Sequence, residues 1–327
     1  MHGLIGKTGK IILPLILASA ILWWMYRGLE WEQLGDVLSH DMSWDWMLLS
    51  MPFGILAQVL RGMRWQQVLH PLGERPRLHT CVNAVFLSYA SSLVVPRVGE
   101  VLRCGILRQY EGTNIVRSVG TVVTELVVDM VMVALLSPMV FLSQIPVFVT
   151  FFRRTGISLS TFLTSFSPTG WVVTAVCMLA LLLGGTFLMK RMGLFSRTRA
   201  VLVDLRDGLM SVRQVENPTL FIFYSLGIWV SYFLHFYLTF FCFASTSCLG
   251  LAAALVAFVV GTFAVLVPTP NGAGPWHFAV KSVLVLYAIP QDDAVLFVLI
   301  VHTLQTFLVV LLGLYALAAL TCTRKRA

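Results

Sequence analysis

The sequence predicts an all-α integral membrane protein with about six spanning helices and two broken-helix hairpins. Hydrophobic residues make up 58% of the 327 residues and charged residues only 12%, against about 25% charged in ordinary soluble domains. Several apolar windows approach the ~20 residues that a helix needs to cross a bilayer. Two further apolar stretches contain prolines and glycines followed by polar side chains. Because no segment is polar enough to form a soluble domain, we predict one membrane domain over residues 1–327.

Six apolar windows predict the spanning helices. They fall at about 11–27, 44–61, 118–142, 169–189, 218–244 and 294–320. The net charge of +8 is carried by basic residues between these windows, as cytoplasmic loops require, so we exclude nucleic acid as a partner.

Charge also orients the helices. The connection 27–45 is acidic, whereas the connection 61–77, which includes Arg61 and Arg64, is basic. The positive-inside rule then predicts a multi-pass protein with both termini in the cytoplasm. We expect it in the cytoplasmic (inner) membrane of a prokaryote. Residues 190–217 are basic and have apolar residues at helical spacing, which predicts an amphipathic helix on the cytoplasmic surface.

The two broken stretches lie near 79–110 and near 250–289. In hydrocarbon, a broken backbone is tolerated only where it is buried in protein or lines a wet cavity. If each stretch enters and leaves on one side of the membrane, the chain forms two units of opposite orientation, 11–142 and 169–320. Paired broken segments in inverted repeats are typical of transporter binding sites.

The first hairpin offers a candidate phosphate site. Pro96 disfavours helix at the residue before it, and Gly99 allows the chain to turn, so a second half-helix should start near Gly99. Its free amide groups would attract an anion, and Arg97 and Arg103 have the fork of donors that suits phosphate. Glu100 is close enough in sequence to hold Arg103 when no substrate is bound. The alternative is an ordinary loop near the lipid headgroups.

The second hairpin is richer in helix breakers. Its breakers and polar groups before the following helix are Pro268, Pro270, Asn271, Gly272 and Gly274. Pro275 suits the first position of that helix, and Asn271 and Gly272 are further candidates for binding the substrate. His277 and Lys281 follow one turn apart, so both could face one cavity. Alternatively, His277 is a neutral imidazole bonded to backbone and Lys281 extends to the membrane interface.

Two carboxylates interrupt an apolar helix between the hairpins. Glu125 and Asp129 are four residues apart, so they share one face near the middle of the bilayer. Both cannot ionise cheaply there. They either pair with Arg97 or Arg103, or one of them keeps a proton. A proton relay and a structural role both remain open.

Ordinary catalytic chemistry has no support in the sequence. The six cysteines form no C-x-x-C pair, and we interpret them as small core residues. No hydrolase, nucleotide or metal motif is present. We therefore expect no catalytic residue, no metal and no cofactor. His302 and Gln305, on the last predicted helix, are further polar candidates within the membrane.

Three motifs together resemble a known family. The run from Pro96 to Arg103 is similar to a P-x-R-x-G-E-x-x-R signature, with proline and arginine adjacent in this sequence. Glu125 and Asp129 match the acidic pair of the helix that follows. Residues 268–274 resemble a later P-x-P-G-G-x-G signature. The sequence thus resembles the flippase-like membrane family that includes the transmembrane region of lysylphosphatidylglycerol synthase.

The resemblance implies movement of a lipid between leaflets, because the best-understood members translocate aminoacylated phospholipids. Their aminoacyl-transferase domain has no counterpart in this sequence, which implies translocation without synthesis. Leu126 and His277 stand where the family has arginine and glutamate, so the headgroup stays open. We expect a transporter for a lipid or lipid-linked amphiphile with a phosphate headgroup, and a homo-oligomer is compatible with it.

Two other functions remain as alternatives. One is a membrane enzyme acting on a lipid-linked substrate, with Glu125, Asp129 and His277 as acid and base groups. The other is an accessory subunit that docks a cytoplasmic synthase through the basic surface segment.

Overall fold

The computed structural model describes residues 35–145, 214–267 and 269–324, together with a few positions between 19 and 27. The α-helices are α1 (Trp44–Leu69), α2 (Leu78–Ser92), α3 (Val98–Glu111), α4 (Ile115–Ser143), α5 (Pro218–Tyr237), α6 (Ala244–Ser247), α7 (Leu251–Ala264), α8 (Pro275–Leu286) and α9 (Gln291–Thr321). Short helical turns occupy Val37–Asp41, His70–Leu72, Leu238–Cys242 and Pro270–Gly272. All regular structure in the described part of the chain is helical, as the sequence predicts.

Four helical stretches in the described residues are long and apolar enough to cross a membrane. They are Trp44–Leu72, Ile115–Ser143, Pro218–Cys242 and Gln291–Thr321, and they coincide with four of the six predicted windows. The windows at 11–27 and 169–189 and the surface segment 190–217 lie wholly or largely outside the described residues.

Helix α1 is longer than its apolar window. It continues to Leu69, so Arg61 and Arg64 are buried helical residues and not members of a cytoplasmic connection. The prediction that placed them in the loop was wrong because it counted charge without knowing the partners. Two acidic side chains of α4 pair with them and so offset the free-energy cost of burying their charges, as described below.

The first broken stretch folds into two packed helices, α2 and α3. Helix α2 ends at Ser92, and Arg97 adopts a left-handed conformation with φ 62° immediately before α3. Gly99 packs directly on the backbone carbonyl of Ser88, where a Cβ atom would have no room. The expected break at Pro96 is therefore present, and the glycine serves the close approach of the two helices.

The second broken stretch has the same plan, with α7 and α8 packed together. Three residues at its turn have positive φ, namely Asn271 (52°), Gly272 (71°) and Gly274 (88°). Pro275 begins α8, which confirms the prediction for that residue. The turn thus uses the breakers that the sequence offers.

The two hairpins open toward opposite ends of the bundle. At one end, Arg77 Nε donates to Glu111 Oε1 at 2.8 Å, which joins the outer ends of α2 and α3. Arg77 Nη2 also donates to the carbonyl of Arg324, just after α9. At the other end, the Tyr287 hydroxyl donates to Gln144 at 3.0 Å, which joins the end of α8 to the end of α4. Because α4 runs from the first end to the second, the hairpin tips approach each other inside the bundle.

Candidate functional site

Five ionisable side chains form a buried cluster where α1, α3 and α4 meet. They are Arg61 and Arg64 of α1, Arg103 of α3, and Glu125 and Asp129 of α4. The three-residue and four-residue spacings place each pair on one face of its helix. The side chains of Arg64 and Glu125 are completely buried.

Each carboxylate is held by two arginines. Asp129 accepts from Arg61 Nη1 at 2.7 Å and from Arg64 Nη2 at 2.9 Å, one bond to each oxygen. Glu125 Oε2 lies 2.7 Å from Arg103 Nη1, and its Oε1 lies 3.5 Å from Arg64 Nε. Arg64 therefore bridges the two carboxylates, and the mutual attraction offsets the large cost of removing these charges from water.

Aromatic and hydroxyl groups fix the geometry of this charged cluster. The Arg103 guanidinium lies over the Trp65 ring, 4.6 Å from its centroid. The Trp65 indole donates to Thr121 Oγ1 at 2.9 Å. Arg64 Nη1 donates to Ser225 Oγ of α5 at 3.3 Å, so four helices contribute side chains to this arrangement.

The charged cluster has more positive than negative charge. Three guanidinium groups face two carboxylates, which leaves one excess positive charge in a buried place. In addition, the Nε atoms of Arg61 and Arg103 are buried and have no hydrogen-bond partner among the described residues. The two oxygens of Glu125 likewise make ion pairs but no well-aligned hydrogen bond with the described residues. A buried charge without a partner is costly, so the excess positive charge suits this cluster to an anion.

A cavity of 740 Å³ lies beside the charged cluster. Arg61 and Asp129 form part of its wall, and Arg97 contributes from the tip of the first hairpin. Most of the remaining wall is apolar and includes Leu126, Trp229, Phe236, Phe258, Phe263 and Leu266. The tips of both hairpins therefore border one space that combines guanidinium groups with an aromatic lining.

The residues of the first hairpin that were predicted to form a phosphate site lie in different places. Arg97 is about half exposed and lines the cavity, with its Nη1 3.8 Å from Glu100 Oε1. Arg103 is buried in the charged cluster and pairs with a carboxylate of α4, not with Glu100 as expected. Gly99 lies between the two helices, and Pro96 lies in the turn. Of the two arginines predicted to bind phosphate, Arg97 lines the cavity and Arg103 does not.

At the second hairpin, the polar groups bond to one another. Asn271 Nδ2 donates to Thr306 Oγ1 at 2.8 Å, and its carbonyl lies 3.1 Å from His302 Nε2. His277 Nδ1 accepts from the backbone N–H of Gly274 at 3.2 Å. His277 is thus bonded to backbone, in keeping with the alternative that the sequence left open.

The other candidates of this hairpin that the structure describes do not belong to the cavity wall. Gly272 is buried, and Lys281 is half-buried one turn beyond His277 on α8. Pro270 begins a helical turn, and Pro268 lies outside the described residues. His277 and Lys281, expected to face a common cavity, are both absent from the described wall.

Sequence reasoning missed two arginines of the site and one aromatic residue. Arg61 and Arg64 were assigned to a loop, although their three-residue spacing next to Trp65 was a signal for a buried helical face. Trp229 lies in an apolar helix with many other aromatic residues. Nothing in the sequence distinguishes an aromatic residue of the cavity wall from one buried in the hydrophobic core.

The spanning-length helices and the buried charged cluster define a multi-pass α-helical membrane protein. The family model of the lysylphosphatidylglycerol synthase transmembrane region matches residues 11–313, so the chain belongs to that family. This confirms the resemblance drawn from the motifs, and it relates the protein to lipid modification or transport. The comparison with curated proteins found no match.

Proposed function

We propose that this protein is a flippase that moves a lipid, or a lipid-linked amphiphile with an anionic phosphate headgroup, between the leaflets of a membrane. The observation that carries the proposal is the cavity between the hairpin tips. It combines an apolar, aromatic lining with guanidinium groups that outnumber the adjacent carboxylates.

The headgroup would bind at Arg61 and Arg97. Charge-assisted hydrogen bonds from guanidinium to phosphate are short and strong, and Arg61 Nε is a buried donor without a partner among the described residues. The phosphate would neutralise the excess positive charge of the cluster. Arg64, which does not line the cavity, would hold Asp129, and Asp129 positions Arg61. Arg103 would hold the neighbouring Glu125.

The apolar wall would receive the upper part of the lipid chains. The volume of 740 Å³ falls within the ~300–1,000 Å³ typical of small-molecule sites, which accommodates a headgroup and the beginning of its chains. The rest of each chain would remain in the bilayer.

The opposite openings of the two hairpins support alternating access. In this proposal both hairpins are re-entrant, and residues 11–142 and 169–320 are inverted repeats with the site at their interface. Rocking one repeat against the other would expose the cavity first to one leaflet and then to the other.

Charge supports one orientation. The end of the bundle that contains the Arg77–Glu111 pair carries Arg75, Arg77, Arg117 and Arg324. The opposite end carries Asp41, Asp45, Asp292 and Asp293. By the positive-inside rule the basic end faces the cytoplasm of a prokaryotic cell, with both termini on that side.

The first test is substitution of Arg97 by glutamine. We expect the translocation rate of a labelled anionic phospholipid in proteoliposomes to fall about tenfold or more, because a hydrogen bond to a charged group contributes ~1.5–3 kcal/mol. Expression and monodispersity should not change, since the side chain is half exposed and its nearest carboxylate is 3.8 Å away.

Arg108→Gln is the matched control, because this exposed arginine of α3 donates, within the described residues, to the nearby backbone carbonyls of Gly112 and Thr113. It should flip lipid at the wild-type rate. Equal rates for wild type and Arg97→Gln would contradict the headgroup site. If no lipid is flipped, product formation by the pure protein would support an enzyme, and co-purification of a synthase would support an accessory subunit.

A further inference from the structure

A pair of buried histidines joins the tip of the second hairpin to α9. The ring centroids of His277 and His302 are 4.3 Å apart, and His277 is only 3% exposed. Neither belongs to the charged cluster. The Trp276 ring, which forms part of the cavity wall, contacts both imidazoles, with centroids 5.5 Å from His277 and 5.1 Å from His302. Trp276 therefore connects the histidine pair to the cavity wall.

The hydrogen bonds of the pair suit neutral rings. His277 Nδ1 accepts from the Gly274 N–H, so this nitrogen carries no proton. His302 Nε2 faces the carbonyl of Asn271 at 3.1 Å, so this nitrogen must carry its proton. Thr306, which accepts from the Asn271 amide, can donate to the other nitrogen of His302 at 3.5 Å. In this conformation each imidazole is neutral and has a single N–H proton.

An added proton would break this arrangement. Protonated at Nδ1, His277 would present a donor to the Gly274 N–H, and the bond at the start of α8 would be lost. A proton on His302 would place a cation beside a second imidazole in a buried place, and two such charges repel. Among the described residues, the titratable groups facing His277 are His302 and Tyr26, whose ring lies 5.9 Å away. No carboxylate of the described chain contacts the pair to compensate.

The surroundings of the pair contain unused polar groups. Thr269, in the turn of the second hairpin, is 5% exposed, and its hydroxyl has no hydrogen-bond partner in the described part of the chain. The same holds for the Tyr26 hydroxyl. Buried polar groups without partners cost free energy, so a conformation that gives the Thr269 hydroxyl a partner would be favoured on that account.

We propose that His277 and His302 form a proton-binding site that couples lipid translocation to proton movement. This inference rests on the proposed flippase function and names its coupling ion. The present conformation is the deprotonated one. A proton taken up from one side forms an N–H bond on an imidazole, weakens the bonds that hold the tip, and leaves to the other side after the tip has moved. Because Trp276 contacts both imidazoles and forms part of the cavity wall, movement of the tip would also move this part of the wall.

The first experiment is independent of transport. An imidazolium quenches the fluorescence of an adjacent indole, so acidification of the purified protein should lower the emission of Trp276. The drop should vanish in Trp276→Phe, which removes the indole, and in the double variant His277→Asn with His302→Gln. Asparagine keeps an acceptor toward Gly274, and glutamine keeps a donor toward Asn271.

The control is His79→Gln, at an exposed histidine of α2, whose fluorescence should respond to pH like that of the wild type. A wild-type titration that persists in the double variant would overturn the site.

The second experiment measures lipid translocation in proteoliposomes under an imposed pH gradient. A transition that takes up one proton shifts by up to about tenfold per pH unit, so the wild-type rate should follow the gradient. The double variant should flip lipid at a rate that does not depend on pH. If the wild type flips lipid at a rate that does not depend on pH, proton coupling is refuted while the proposed flippase function still holds. If wild type flips no lipid, the proposed function fails, and the fluorescence titration alone decides whether the proton site exists.

Discussion

Replacing Glu125 with glutamine is expected to destabilise the membrane domain by about 3–5 kcal/mol, the cost typical of removing one partner from a buried ion pair. Three guanidinium groups would then face a single carboxylate. Arg103 would lose its partner, and Arg64 would lose one of two. The measurement is the temperature at which half of the protein has aggregated in detergent. It is read from the fraction of protein that stays monodisperse on heating. Glu100→Gln is the control, because this carboxylate is partly exposed and 3.8 Å from Arg97, and it should melt like wild type.

A compensating substitution separates charge imbalance from loss of packing. With Arg103→Met added to Glu125→Gln, two guanidinium groups face one carboxylate, and the excess of one positive charge is restored. Methionine also keeps an apolar contact with the Trp65 ring. We expect the double variant to regain more than half of the lost thermal stability. A double variant as unstable as Glu125→Gln alone would show that the ion pair is not the cause.

Gly99→Ala is expected to separate the two helices of the first hairpin. A Cβ atom at this position would overlap the carbonyl oxygen of Ser88 and lie 2.6 Å from its carbonyl carbon. Because the obstacle is backbone, it cannot rotate away, and overpacking of this kind costs about 1–3 kcal/mol. The displaced tip would also move Arg97 from the cavity wall, so we expect lipid translocation to fall with stability.

Gly105→Ala provides the matched control in the same helix. Apart from its own helical turn, no described residue has an atom within 4 Å of the position that a Cβ would take at Gly105. Alanine also favours helix over glycine by ~0.5–1 kcal/mol. The two variants should therefore shift the melting temperature in opposite directions. A Gly99→Ala protein that melts and flips lipid like wild type would disprove the close packing of α2 on α3.

The breaks in the helices could be predicted from the sequence because proline and glycine act locally. Pro96 and Gly99 placed the first break within a few residues of its position, and Pro275 marked the start of α8. The left-handed conformation of Arg97 had no such signal, since arginine is not a residue that favours it.

The pairing of the charges could be predicted only in part. The spacing of Glu125 and Asp129 left two alternatives, pairing with Arg97 or Arg103 or retention of a proton by one carboxylate, and the structure pairs Arg103 with Glu125. Which carboxylate Arg103 contacts depends on how α3 packs on α4, and this is a tertiary property. Arg61 and Arg64 escaped prediction for the same reason, because a basic residue at the end of an apolar window resembles a loop residue until its partner is known.

The short helices of the hairpins have a consequence for membranes of different thickness. Helix α2 has 15 residues and α8 has 12, so they measure ~22 and ~18 Å at 1.5 Å per residue, against a hydrocarbon layer of ~30 Å. In the proposed arrangement each hairpin extends past the midplane, and the two tips overlap in depth. The protein, and not the bilayer, then sets the distance that a headgroup crosses. Flipping by the protein should therefore have nearly the same rate in thin and thick vesicles, whereas unassisted flipping slows as the hydrocarbon thickens.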